Sequence, residues 1–167
     1  MNTTTVVSFR CHKNMKNWLV YAGQGFDGGK SELLRLIIER AVMEQYRVSG
    51  LGSFLNHFVG DNHSTSIGDT TVFAVRLRVD IVTSAKEIAV TKRLGISEWC
   101  ARCMYTWLES FKPNYELHKE EGPDWIQQYA ALYRTKVYEL ADVYASKCAK
   151  LVKITLPCEG DNEKSKA

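Results

Sequence analysis

The sequence predicts a mostly helical chain with one short antiparallel two-stranded ribbon, built from a strand–helix–helix unit used twice and followed by a long C-terminal helix. Three observations carry this prediction. Two short segments, Val7-Ser8-Phe9-Arg10-Cys11-His12 and Val75-Arg76-Leu77-Arg78-Val79-Asp80, alternate apolar and polar residues with the period of a half-buried strand. Each is followed by apolar residues at helical spacing, then by a Ser-Glu pair that opens a second helical stripe. A last stripe of aromatic residues follows both copies. Strands this short are not stable alone, whereas two from one chain can pair antiparallel.

In the first strand Val7, Phe9 and Cys11 are expected to face the core, and in the second Val75, Leu77 and Val79. The outward faces then carry Val6, Ser8 and Arg10, and Ala74, Arg76 and Arg78. Met15, Trp18, Leu19 and Ala22 recur at one-face spacing and predict a helix over 13–22. Gly23, Gly25, Gly28 and Gly29 end it. Ser31 reads as the N-cap of a second helix, whose stripe of Leu33, Leu34, Ile37, Ile38, Ala41 and Val42 reaches Arg47. Residues 48–71 are rich in Gly, Ser, Asn, Asp and Thr and read as a connection, with a turn around Phe54, Leu55 and Phe58.

The second copy runs from Val72, with Asp80 as the expected cap of a helix carrying Ile81, Ala85, Ile88 and Ala89. Gly95 breaks it. Ser97 then answers Ser31, and Trp99, Cys100, Cys103, Met104, Trp107 and Leu108 follow at the offsets of the earlier stripe. The tail is expected to begin at Pro113. Pro123 suits the first position of a helix, whose stripe is Trp125, Tyr129, Leu132, Tyr133, Leu140, Tyr144, Cys148 and Leu151. That stripe needs a partner, either the double unit or a second copy of the chain in a homodimer. The polar residues after it are expected to be disordered.

The chain has 167 residues with 45% hydrophobic, enough for a packed core. The net charge of +3 is unevenly placed: residues 1–47 hold seven Lys/Arg against four Asp/Glu, and residues 72–112 hold seven against four again. The basic excess lies in the two units and suits a polyanionic partner. No run of 18 apolar residues is present, so no membrane partner is expected. The Thr-rich first residues carry no apolar signal region, which points to the cytoplasm. Five cysteines, an odd number, fit reduced thiols there. Cys100 and Cys103 form C-x-x-C, but they take the places of Leu34 and Ile37 and read as small buried hydrophobes. No second cysteine pair completes a zinc site, and His12, His57, His63 and His118 have no ligand or catalytic spacing. No phosphate-binding loop, nucleophile elbow or dinucleotide fingerprint occurs. Accordingly no catalytic residue, metal or cofactor is expected, and the chain does not read as an enzyme.

The outward arginines suggest a different chemistry. The major groove of B-DNA admits a two-stranded ribbon, and an arginine fork reaches guanine O6 and N7 together. Arg10, Arg76 and Arg78 are the expected base-reading residues, with Ser8 as a lesser one. Unpaired N–H groups and the helix dipole make a helix start a phosphate site, which marks Lys30, Ser31 and Ser97. The alternatives are solubilising arginines on an exposed ribbon and ordinary helix caps.

Val7-Ser8-Phe9-Arg10 followed by Lys30-Ser31-Glu32-Leu33-Leu34-Arg35 resembles the ribbon-helix-helix DNA-binding proteins, a family that includes the Arc and MetJ repressors. Val75-Arg76-Leu77-Arg78 with Ser97-Glu98-Trp99 is a weaker second match, departing at Trp99, Cys100 and Ala101. The resemblance implies two ribbon-helix-helix units, 1–47 and 72–112, joined by a linker at 48–71, with a helical segment at 113–155 and a tail at 156–167 outside the match. Tandem copies in one chain look like those of plasmid-borne proteins of conjugative transfer. What this implies is a sequence-specific double-stranded DNA-binding transcriptional regulator, an activator of conjugative plasmid transfer genes. An accessory protein of the relaxosome at a transfer origin and an antitoxin-like interaction protein are the other roles it allows.

Overall fold

The computed structural model describes residues 3–47 and 69–155, the side chains of 46, 47 and 147–155 excepted. The chain opens with β1 (Thr4–His12), then α1 (Asn14–Gly23) and α2 (Gly29–Arg47). The same order returns as β2 (Thr70–Arg78), α3 (Val79–Thr91) and α4 (Ile96–His118). A 3-10 turn at Lys119–Glu121 leads into α5 (Pro123–Thr155). The fold is thus mostly helical with one two-stranded antiparallel sheet.

The two strands pair from Thr4 opposite Arg78 to His12 opposite Thr70, with Ser8 opposite Ala74 at the centre and Val7 opposite Val75 beside it. Their alternation sorts side chains onto two faces. Val7, Phe9, Cys11, Phe73, Val75 and Leu77 are buried on the inner one, where Phe9 and Phe73 stack with ring centroids 5.8 Å apart. Backbone bonds close both ends: Lys13 N–H donates to the Asp69 carbonyl and Val79 N–H to the Thr3 carbonyl, each at 3.0 Å. The His12 N–H reaches the Tyr105 hydroxyl of α4 at 2.9 Å.

Val79 does not face the core. Arg78 is the last extended residue (φ −62°, ψ 146°) and Val79 begins α3, leaving its side chain 43% exposed. Thr70 and Thr71, expected in the connection, belong to β2. The rest of that connection, 48–68, and the tail at 156–167 lie outside the described residues.

Beneath the ribbon the helices present the expected stripes. Met15, Leu19 and Ala22 of α1, Leu33, Leu34, Ile37, Ile38 and Val42 of α2, Ile81, Ala85, Ile88 and Ala89 of α3, and Trp99, Cys100, Cys103, Met104 and Trp107 of α4 are all buried. Cys100 and Cys103 therefore fill core positions, as Leu34 and Ile37 do in the first unit. Gly23 ends α1 hard against α2: a Cβ there would come within 2.6 Å of the Lys30 nitrogen.

Three expected boundaries move. Ser31 is not the N-cap of α2, which begins two residues earlier at Gly29, a glycine with φ +65°. The carboxylate of Glu32 turns back to accept the Gly28 N–H at 3.2 Å, which satisfies an amide at the helix start without a capping hydroxyl. Asp80 makes no capping bond to α3; its carboxylate pairs with Arg78 at 3.1 Å. Pro113 does not start a new segment but lies inside α4. Its ring supplies no amide for the Glu109 carbonyl one turn back, and beside it the Asn114 side-chain nitrogen donates to the Ser110 carbonyl at 3.2 Å.

α5 packs on the same chain. Trp125, Ile126, Ala130, Tyr133, Val137, Leu140 and Tyr144 are buried on its inner face, while Leu132, expected in the stripe, points away and is 66% exposed. The indole N–H of Trp125 donates to the Tyr21 hydroxyl at 3.2 Å and that of Trp107 to the Tyr129 hydroxyl at 3.0 Å. Phe111 stacks between Trp107 and Trp125, at 5.0 Å and 5.9 Å. Farther along, the Tyr144 and Ser84 hydroxyls lie 3.1 Å apart. Offset and edge-on ring pairs of this kind add to what area burial contributes.

Candidate nucleic-acid interface

The outward face of the ribbon follows directly from the register. Five pairs share it in sequence: Thr4 opposite Arg78, Val6 opposite Arg76, Ser8 opposite Ala74, Arg10 opposite Val72, and His12 opposite Thr70. The first eight residues are exposed, and His12 and Thr70 are half-buried. The sequence parity places Arg10, Arg76, Arg78 and Ser8 here, and the structure brings the four onto one surface. Arg10 stands toward one end, and Arg76 and Arg78 toward the other, with the small Ser8 and Ala74 between.

Each arginine has a light tether. Arg10 Nη1 lies 3.5 Å from the Thr70 hydroxyl, and Arg76 Nη1 lies 3.4 Å from the Thr4 hydroxyl. Both are at the long limit for a hydrogen bond and leave most of each guanidinium's five donors unused by these contacts. Arg78 is held more firmly through Nη2 by Asp80 at 3.1 Å. An exposed pair of this sort contributes little stability, but it limits the directions in which the fork points. Val6 and Val72, 50% and 54% exposed, add apolar surface beside Arg76 and Arg10. Val72, Thr4 and Thr70 were not among the candidates read from sequence, although their parity with Arg76 is the signal that places them.

The helix starts differ from each other. Ser97 is the second residue of α4, behind the N-cap Gly95, and its hydroxyl donates to the Ser8 carbonyl at 2.8 Å. Ser97 and Glu98 thus share a shallow groove with Ser8 and Arg10. Glu98 pairs with Arg102 one turn along α4 at 3.1 Å. Lys30 and Ser31 are exposed in the first turn of α2, and that turn meets α5: Arg134 reaches Glu32 at 3.4 Å and sits over Phe26. Among the described residues no hydrogen bond or ion pair joins Lys30 or Ser31 to the ribbon.

The thiols of Cys11, Cys100 and Cys103 lie on the core side. Burial pushes Cys11 up to about 12; burial first, and then neighbouring Cys11, does the same to Cys100. Cys103 is raised as well, mainly by burial. Such thiols are poor nucleophiles at neutral pH. Among the described residues no group of three or more His, Cys, Asp or Glu is placed to hold a metal ion, and no helix is long and apolar enough to cross a membrane. Comparison with protein-family models, with curated proteins and with solved structures finds no match for the chain.

Proposed function

We propose that the chain is a sequence-specific double-stranded DNA-binding transcriptional regulator of the ribbon-helix-helix kind, which lays its ribbon in the major groove. One observation carries the reading. Three arginines project from the outward face of a two-stranded ribbon whose inward face is buried in the core. A sheet needs no arginines on its solvent side for stability, whereas a guanine edge in the major groove matches the guanidinium fork. The basic excess of both units supports the same partner. In this reading Arg10, Arg76 and Arg78 contact base edges, with Ser8 a minor contact. Lys30 and the first-turn amides around Ser31 and Ser97 contact phosphates, fixing position without reading sequence. A role in activating the transfer genes of a conjugative plasmid follows from the tandem plan's resemblance alone.

The test is a selection of bound duplexes from a random pool, followed by polarisation titrations of the recovered duplex and a scrambled one. Arg10→Ala is expected to weaken binding to the recovered duplex by about tenfold to over a hundredfold and to leave the scrambled one much less affected. A pool without enrichment would sink the proposal. So would an Arg10→Ala protein that is folded by circular dichroism and binds as tightly as the parent.

A further inference from the structure

The pairing register holds more than the parity of the strands. Val7 opposes Val75, and these are also equivalent positions of the repeat, so a local two-fold axis passes between them. It exchanges the pair Thr4–Arg78 with the pair Val72–Arg10, and the pair Val6–Arg76 with the pair Ala74–Ser8. The outer positions are alike in their arginines, because each presents one from the same place in its unit. The inner positions are not. One presents Arg76 beside Val6, and the other only Ser8 and Ala74, whose short side chains leave nothing comparable to a fork.

From this we infer that one chain recognises an asymmetric duplex element. It has a guanine contact at each end, made by Arg10 and Arg78, and a third, made by Arg76, on one side only. The inference rests on the reading of the ribbon as a major-groove element. Arg10 and Arg78 stand about 20 Å apart along the ribbon at ~3.4 Å per residue, or roughly six base steps. A ribbon made by two identical chains presents identical faces to both half-sites. Here the two strands are separate stretches of sequence, and they differ at the position where an inner base would be read. Val6 and Val72, each about half exposed, extend the difference, since their two-fold mates are Ala74 and Thr4. A branched apolar side chain in the groove suits a thymine methyl.

The experiment is the random-pool selection with the full-length protein, repeated with Arg76→Ala and with Ser8→Arg. Symmetry is judged within the element protected by one chain. The parent is expected to enrich an element with an inner guanine on one side only, and changing that guanine should weaken binding about tenfold or more. Arg76→Ala should lose that preference and keep the outer pair. Ser8→Arg, on an exposed face, should gain the matching guanine and make the guanine contacts of the element symmetric. A parent element that is already an inverted repeat overturns the inference while leaving DNA reading intact. The same follows if Arg76→Ala keeps the inner preference. A pool with no enrichment removes the underlying reading and the inference together.

Discussion

The Ser97 hydroxyl donates to the Ser8 carbonyl across 2.8 Å, fastening the first turn of α4 to the middle of β1. The bond links the second unit to the strand of the first at the point where the outward face carries its smallest pair. Ser97→Ala is expected to cost about 0.5–1.5 kcal/mol, read as a lower urea midpoint with unchanged slope. Ser97→Thr, which keeps a hydroxyl, should recover most of it. If alanine and threonine variants unfold at the same midpoint as the parent, the bond does not hold the ribbon.

Lys30 should behave unlike the arginines. Its ammonium is a compact charge on the exposed first turn of α2 and has no fork to match a base edge. Lys30→Ala is expected to lower affinity for recovered and scrambled duplexes by a similar factor, and to reduce the slope of log K against log salt by about one. A loss confined to the recovered duplex would make Lys30 a base reader.

Trp125 is the point at which α5 is anchored. It stacks on Phe111 at 5.9 Å and on His118 at 5.7 Å, and its indole N–H is taken by Tyr21. Trp125→Ala is expected to cost about 3–5 kcal/mol. Deleting residues 123–167 should go further, uncovering Trp107 and Phe111 and producing apolar-dye binding. A truncated chain as stable as the parent and free of dye binding would show that α5 is dispensable to the core.

Alkaline pH should weaken the fold. Cys11 and Cys100 ionise near 12 when folded against an ordinary 9.0, and Tyr129, raised mainly by burial, near 12 against 10.0. Above pH 9 the unfolded chain releases thiol protons that the folded chain keeps, so stability falls as pH rises. The contribution is complete below pH 9 and lost progressively toward pH 12. At pH 10.5 each such thiol would account for up to roughly 2 kcal/mol. Urea midpoints at pH 8 and 10.5 should differ, and the difference should shrink in Cys100→Ala; equal midpoints in the parent would contradict it.

The parts of the fold that read clearly from sequence are those where one periodicity had no competitor. Val7, Phe9 and Cys11 alternate because one sheet face is buried and the other is not, and the same parity delivers Arg10, Arg76 and Arg78. Val79 misleads because the alternation runs on past the last extended residue into the first of α3. Pro113 is a valid local breaker, but Phe111 and Tyr115 on either side pack into the aromatic cluster, and tertiary contact outweighs the lost amide. Ser31 and Asp80 are good caps by type. In each case a carboxylate decides differently, that of Glu32 turning to Gly28 and that of Asp80 to Arg78. Leu132 fits the helical period as well as Tyr133 does, and only the position of α2 and α4 selects which faces inward. The link from Ser97 to Ser8 spans units far apart in sequence, and no local signal could reveal it.

The two strands of the ribbon are segments of one polypeptide. An element of this type made from separate chains forms in a second-order step and comes apart on dilution. Here it forms in a first-order step, with a fixed one-to-one stoichiometry. Unfolding midpoints measured at nanomolar and micromolar protein are expected to coincide. On the proposed reading, occupancy of a target in a cell holding few copies would climb without the threshold that assembling the ribbon from two chains imposes.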